Sequence, residues 1–135
     1  VYGRLPLMQL RHCPRRAAEN LPGKHRDCRL CDVSGKGDLP CLIDRTGAAF
    51  PLLRMAYASG CVLQLLNSVP LMLLRHVEKL PPAAAWRMLV EKDDAAEAAR
   101  LHRLALDGRD FRKDPAWAQW DAMATTTGHY FRGVE

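Results

Sequence analysis

The chain reads as an α/β protein, and three observations carry that expectation. Residues 62–107 run as extended segment, helix, strand and helix, the rhythm of a parallel α/β layer. Before them, "CLIDRTGAAFPLL" (41–53) holds two short apolar runs joined at Thr46-Gly47, where glycine supplies the positive φ of a tight turn. The 135 residues, 48% of them hydrophobic, suffice for one core of ordinary size. One structural unit is expected, in three segments: a cysteine-rich, basic strand and hairpin segment over 1–61, a strand-helix-strand-helix segment over 62–108, and an irregular aromatic tail over 109–135.

Each element has a local cause. "YGRLPLMQL" (2–10) has strand character through Tyr2, Leu5, Leu7 and Leu10, and Pro6 confines it to a strand end or a sheet edge. It leads straight into Cys13, and the 41–53 hairpin follows. "VLQLL" (62–66) is a buried extended run. Asn67-Ser68 then offers an N-cap and Pro70 a first-turn proline, so the spacing predicts a helix over 69–80, stopped by Pro81-Pro82. "WRMLVE" (86–91) has the length of a buried strand. Asp94 with Glu97 three residues on has the form of a capping box, opening a helix with inner face Ala98, Leu101, Leu104 and Ala105 and a stop at Gly108. From 109 the regularity fails, apart from a short helix after Pro115 carrying Trp117 and Trp120. The sequence contains no internal repeat.

The stretch from 11 to 45 poses the chemical question. It holds Cys13, Cys28, Cys31 and Cys41 among Arg, Lys, Asp, Gly and Pro, which leave little apolar area to offset the entropy of ordering it. Cys28-Arg-Leu-Cys31 has the Cys-x-x-Cys spacing that turns two sulfurs toward one metal centre. Cys13 and Cys61 stand singly, fourteen residues before that pair and twenty-nine after it. Such spacing suits a site assembled from separate elements of a folded domain, as in iron-sulfur proteins, better than a self-contained finger. A redox Cys-x-x-Cys pair and inert thiols stay open beside ligation. Cys41, beside Leu42 and Ile43, is expected as a buried hydrophobe.

Charge gathers around the same thiols. The net charge is +5; residues 1–60 hold ten Lys and Arg against five Asp and Glu, whereas residues 61–135 hold ten against ten. Fifteen of the twenty basic residues are arginines, whose forked donors suit phosphate or carboxylate. Arg11, Arg15, Arg16, Lys24, Arg26 and Arg29 are therefore candidates to track RNA phosphates, against the plainer reading of a solvated basic surface.

Other classes find less support. The N-terminus lacks a charged region followed by an apolar run, and "CVLQLLNSVPLMLL" (61–74) is broken by Gln64, Asn67, Ser68 and Pro70, so neither a secretory signal nor a membrane partner is expected. The expected location is cytoplasmic, where thiols stay reduced. Val1 runs directly into a strand, which is expected of a piece of a longer polypeptide. His12, His25, His76, His102 and His129 are scattered and form no His-Glu-x-x-His motif; His76 and His102 are expected at the surface or half-buried on helices. Cys13 next to His12 could be read as a thiol and its base, but neighbours in an extended run point to opposite faces. His129, flanked by glycine and followed by Tyr130, Phe131 and Arg132, is either ligand-facing, together with Arg132, or part of a structural tail.

"YGRLPLM", "HCP", "CRLC", "LIDRTGAAFPL", "C" followed by "LLNSVPL", and "TTGHYFRGVE" resemble, in order and approximate spacing, the C-terminal part of the catalytic region of the collagenase-like peptidase family. This bacterial group is classed as peptidases of unknown catalytic type. The resemblance spans most of the chain and is thin over 82–124. It implies a C-terminal fragment of a TIM-barrel-like parent with an inserted cysteine-rich hairpin segment, unable to close a barrel by itself. It also implies either collagenolytic hydrolysis of proteins or oxygen-independent hydroxylation of transfer RNA, ribosomal RNA or the ubiquinone ring. Several members of the second branch hold an iron-sulfur cluster on four cysteines, and that pattern falls here on Cys13, Cys28, Cys31 and Cys61. The gap between Cys13 and Cys28, with its insertion-like "AAENLPGKHRD", is longer than the family pattern. The implied cofactor is that cluster in the parent, with zinc or no metal in an isolated fragment. The implied partners are the N-terminal portion of the parent and RNA, and an RNA-binding module is the competing class.

Overall fold

The computed structural model describes residues 2–21, 30, 39–57, 60–83, 85–90, 95–128 and 130–131. In chain order its elements are strands β1 (Tyr2–Gly3) and β2 (Pro6–Leu10), helix α1 (Pro14–Ala18), strands β3 (Cys41–Ile43), β4 (Ala49–Tyr57), β5 (Gly60–Leu66) and β6 (Leu71–Met72), a 3-10 turn (Leu74–Lys79), strand β7 (Met88–Leu89), helix α2 (Ala95–Leu106), a second 3-10 turn (Phe111–Lys113) and helix α3 (Trp117–Ala122). The fold is mixed α and β, and among the described residues neither of its two sheets closes into a barrel. The chain groups into two compact units, Leu5–Ser68 and Val1–Arg4 with Val69–Glu135.

The unit from Leu5 to Ser68 is an antiparallel sheet in the order β2-β5-β4-β3. Its register pairs Leu10 with Leu63, Leu52 with Leu65, and Leu42 with Phe50. Because side chains alternate along a strand, Leu52, Leu63 and Leu65 share one face, and Cys13 packs there with Leu52 and Leu63. The edge strand β2 carries Pro6 and a bulge before Met8, as a proline without an N–H requires. The 41–53 hairpin forms, with a loop wider than the expected two residues: the Asp44 N–H donates to the Ala48 carbonyl at 3.0 Å, and Gly47 takes φ +86°. Helix α1 was not legible as a helix, yet its start has a local cause, an extended Cys13 as N-cap and Pro14 in the first turn.

In the other unit β1 lies between β6, antiparallel, and β7, parallel. Two expectations change here. Residues 2–10 form not one strand but two in different sheets, and residues 62–66 join the antiparallel sheet instead of a parallel layer. The helix expected over 69–80 is replaced by β6 and a 3-10 turn kinked at His76. Long-range pairing takes the backbone that a helix would have used: the Thr126 N–H donates to the Pro70 carbonyl and the Met72 N–H to the Thr126 carbonyl, each at 2.9 Å, while β1 occupies the other side.

Helix α2 follows the expected apolar face, burying Ala98 and Leu101 with Leu104 and Ala105 packed beside them. It ends at Gly108, φ +70°, where the Arg109 N–H reaches the Leu104 carbonyl and the Gly108 N–H the Ala105 carbonyl, the paired bonds of a Schellman stop. Asp94 of the expected capping box lies outside the described residues. The Glu97 carboxylate accepts from the Trp120 indole N–H. Tyr2, Met72, Leu74, Phe111, Trp117 and Trp120 complete the core. Arg75 ties down the end of α3, donating to the carbonyls of Trp120, Asp121 and Met123 and to the Thr125 hydroxyl.

Candidate functional site

Two of the four predicted ligand positions fall within the described backbone, and the sheet brings them to one end. Strand β2 runs antiparallel to β5 with Leu10 opposite Leu63, so the chain leaves β2 for Cys13 at the end where β5 begins with Gly60 and Cys61. Cys13 is buried, 7% exposed, against Leu52 and Leu63. Cys28 and Cys31 lie outside the described residues. The segment that contains them is bounded by Leu21 just after α1 and by Leu39 and Pro40, where the Leu52 N–H donates to the Pro40 carbonyl at 2.8 Å.

Four thiolates are the donor set of an iron-sulfur or zinc centre. Among the described residues no three His, Cys, Asp or Glu side chains gather as a metal site. Cys41, expected as a buried hydrophobe, is exposed instead; its thiol donates to the Leu39 carbonyl at 3.4 Å. The correction follows from topology, because Cys41 opens the short edge strand β3 and all three residues of that strand are exposed.

The arginines separate by burial. Arg11 and Arg15 are exposed, whereas Arg16 is 8% exposed and its guanidinium donates to the Leu21 carbonyl at 3.1 Å. Arg16 therefore faces the interior of its own unit, where it holds the chain leaving α1, and does not stand with Arg11 and Arg15 on the surface. Lys24, Arg26 and Arg29 lie outside the described residues, as do His129 and Arg132. Tyr130 and Phe131 next to them are exposed, and the Phe131 ring meets His76 edge-on at 5.0 Å. His12 is exposed while Cys13 is buried, so the adjacent pair makes no thiol-imidazole dyad.

His102, expected at the surface or half-buried, is 2% exposed on α2, with Nδ1 2.7 Å from the Ala98 carbonyl oxygen and the Tyr2 and Trp86 rings nearby. One feature was missed in the sequence reading: a cavity of about 490 Å³ lined by Pro14, Arg15 and Ala18 of α1 and by Pro40, Cys41, Leu42 and Leu52. The first-turn proline after Cys13 was its one local signal.

No protein-family model, no curated protein and no solved structure matches this chain.

Proposed function

We propose that this chain contributes a four-cysteine iron-sulfur site, on Cys13, Cys28, Cys31 and Cys61, to an oxygen-independent RNA hydroxylation enzyme of the collagenase-like peptidase family. In this reading it is the C-terminal part of a TIM-barrel-like parent, and the substrate pocket is shared with the preceding portion. The observation that supports the proposal is that the chain leaves β2 toward Cys13 at the same end of the sheet at which β5 begins with Gly60 and Cys61. A cluster bound there would supply one-electron redox chemistry. The chain's own residues have other work: Leu52 and Leu63 shield Cys13 from water, and exposed Arg11, two residues before it in sequence, offers forked donors to a phosphate.

Metal and sulfide analysis of protein purified without oxygen tests the reading. Iron and acid-labile sulfide are expected at about four each per chain, with visible absorption. Serine replacements at Cys13, Cys28, Cys31 and Cys61 should each remove iron and abolish RNA hydroxylation in cells, because removing any one thiolate opens the coordination shell. Colourless protein with intact thiols overturns the proposal, as does retention of iron in three of the four variants. Loss of gelatin cleavage in Cys13→Ser alone would assign a proteolytic nucleophile instead, since a nucleophile fails singly.

A further inference from the structure

The two edges of the antiparallel sheet are unequal. The β2 edge is blunted by Pro6 and a bulge, two devices that discourage pairing with another chain. The β3 edge has neither within Cys41–Ile43. Two hydrogen bonds set its parity: the Leu52 N–H donates to the Pro40 carbonyl, and the Asp44 N–H to the Ala48 carbonyl. Alternation then turns the backbone of Leu42 toward β4 and leaves the N–H and C=O groups of Cys41 and Ile43 on the open side. Among the described residues no strand pairs with that side. Ile43 is 64% and Leu42 36% exposed, large apolar side chains on an edge with no strand of the described residues against it.

Beside this edge lies the cavity between α1 and β3, lined by apolar Pro14, Ala18, Pro40, Leu42 and Leu52 and by one cation, Arg15. Arg15 is exposed and has no ion-pair partner among the described residues. The described part of this unit holds five arginines (Arg11, Arg15, Arg16, Arg45, Arg54) against two carboxylates, and one of those, Asp44, is spent inside the hairpin loop. A second copy of this chain would bring like charge to the edge, which disfavours self-pairing. From the open ladder, the apolar cavity and the unpaired guanidinium together, we infer that the β3 edge is a docking site for an extended, acidic protein segment. The segment adds as a fifth strand along Cys41–Ile43, seats an apolar side chain in the cavity and directs a carboxylate to Arg15. Main-chain hydrogen bonds supply affinity, and the cavity and Arg15 supply selectivity.

The test uses the full chain and a fluorescein-labelled octapeptide alternating Glu and Val, with binding read by fluorescence anisotropy. The peptide is expected to bind and to protect the Cys41 and Ile43 amides from hydrogen exchange. Ile43→Pro removes an outward N–H without touching the bonds to β4 and should weaken binding about tenfold. Arg15→Glu should weaken it about fivefold. Alternating Lys-Val peptide, and Glu-Val peptide N-methylated at consecutive central amides, should not bind; the latter needs no protein variant and so stands even where Ile43→Pro misfolds. Failure of the Glu-Val peptide to bind at millimolar concentration overturns the inference, as does equal binding of the methylated peptide. Concentration-dependent dimerisation that Ile43→Pro abolishes would give the edge to a second copy, and displacement of the peptide by a single-stranded oligonucleotide would give Arg15 to RNA; either result overturns it. Anisotropy is read whether or not iron is bound, so this outcome and that of the iron assay are independent.

Discussion

Asp44 closes the β3–β4 hairpin with one oxygen. Its Oδ1 accepts from the Thr46 hydroxyl and the Thr46 N–H, both at 2.7 Å, and from the Ala48 N–H at 3.0 Å. These donors, the Thr46 hydroxyl foremost, hold the carboxyl below its ordinary value of 3.8, since they favour the ionised form. A folded-state pKa below the unfolded one gives stability that is present above the unfolded value and lost as pH falls through the folded one. The stability difference between wild type and Asp44→Ala should therefore shrink on going from about pH 7 to about pH 2, as measured by denaturant unfolding. Asp44→Asn keeps an acceptor oxygen without a titrating proton, so its stability should show less of that pH dependence. A difference between wild type and Asp44→Ala that stays constant across the range would show the ionised carboxylate to be irrelevant to the loop.

Strands β1 and β7 meet because residue 3 has no side chain. Gly3 sits at φ +122°, and a Cβ built there would lie 2.1 Å from the Leu89 carbonyl oxygen, a backbone atom that cannot swing away. Gly3→Ala combines backbone strain with overpacking and should cost about 2 kcal/mol or more, seen as a lowered thermal midpoint. An unchanged midpoint would mean that the β1–β7 approach contributes nothing to stability. The β6 region makes the complementary point about elements. Asn67, Ser68 and Pro70 satisfy the local rules for opening a helix, yet the pairing of Pro70 and Met72 with Thr126 makes two further hydrogen bonds, and the chain takes the sheet.

For the molecule as a whole, the +5 net charge matters through where its arginines stand. If Arg11 tracks an RNA phosphate, affinity should fall with salt, and Arg11→Ala should lower the log-log slope by about 0.7. Arg16→Ala should leave the slope unchanged and instead destabilise the fold by about 1–3 kcal/mol, since its guanidinium is buried on the Leu21 carbonyl. Filter binding across a salt series with the two variants and the wild type checks this; equal slopes in all of them would leave the charge as solvated surface. No helix among the described residues is long and apolar enough to cross a membrane.

The sequence by itself determined what nearest neighbours control. The hairpin at 41–53, the apolar face of α2 with its stop at Gly108, and the short helix holding Trp117 and Trp120 were all legible, because periodicity, turn glycines and caps act within one or two turns of chain. The spacing of Cys13, Cys28, Cys31 and Cys61 likewise named a candidate set before any fold was known. Tertiary structure decided the rest: that residues 2–10 divide between two sheets, that 69–80 is strand and 3-10 turn, that His102 and Arg16 are buried and Cys41 exposed, and that β3 forms an open edge beside a cavity. Each of these depends on which distant backbone supplies a hydrogen-bond partner, and a partner 50 or 60 residues away, such as Thr126 for Met72 or Leu63 for Leu10, leaves no mark on the local pattern.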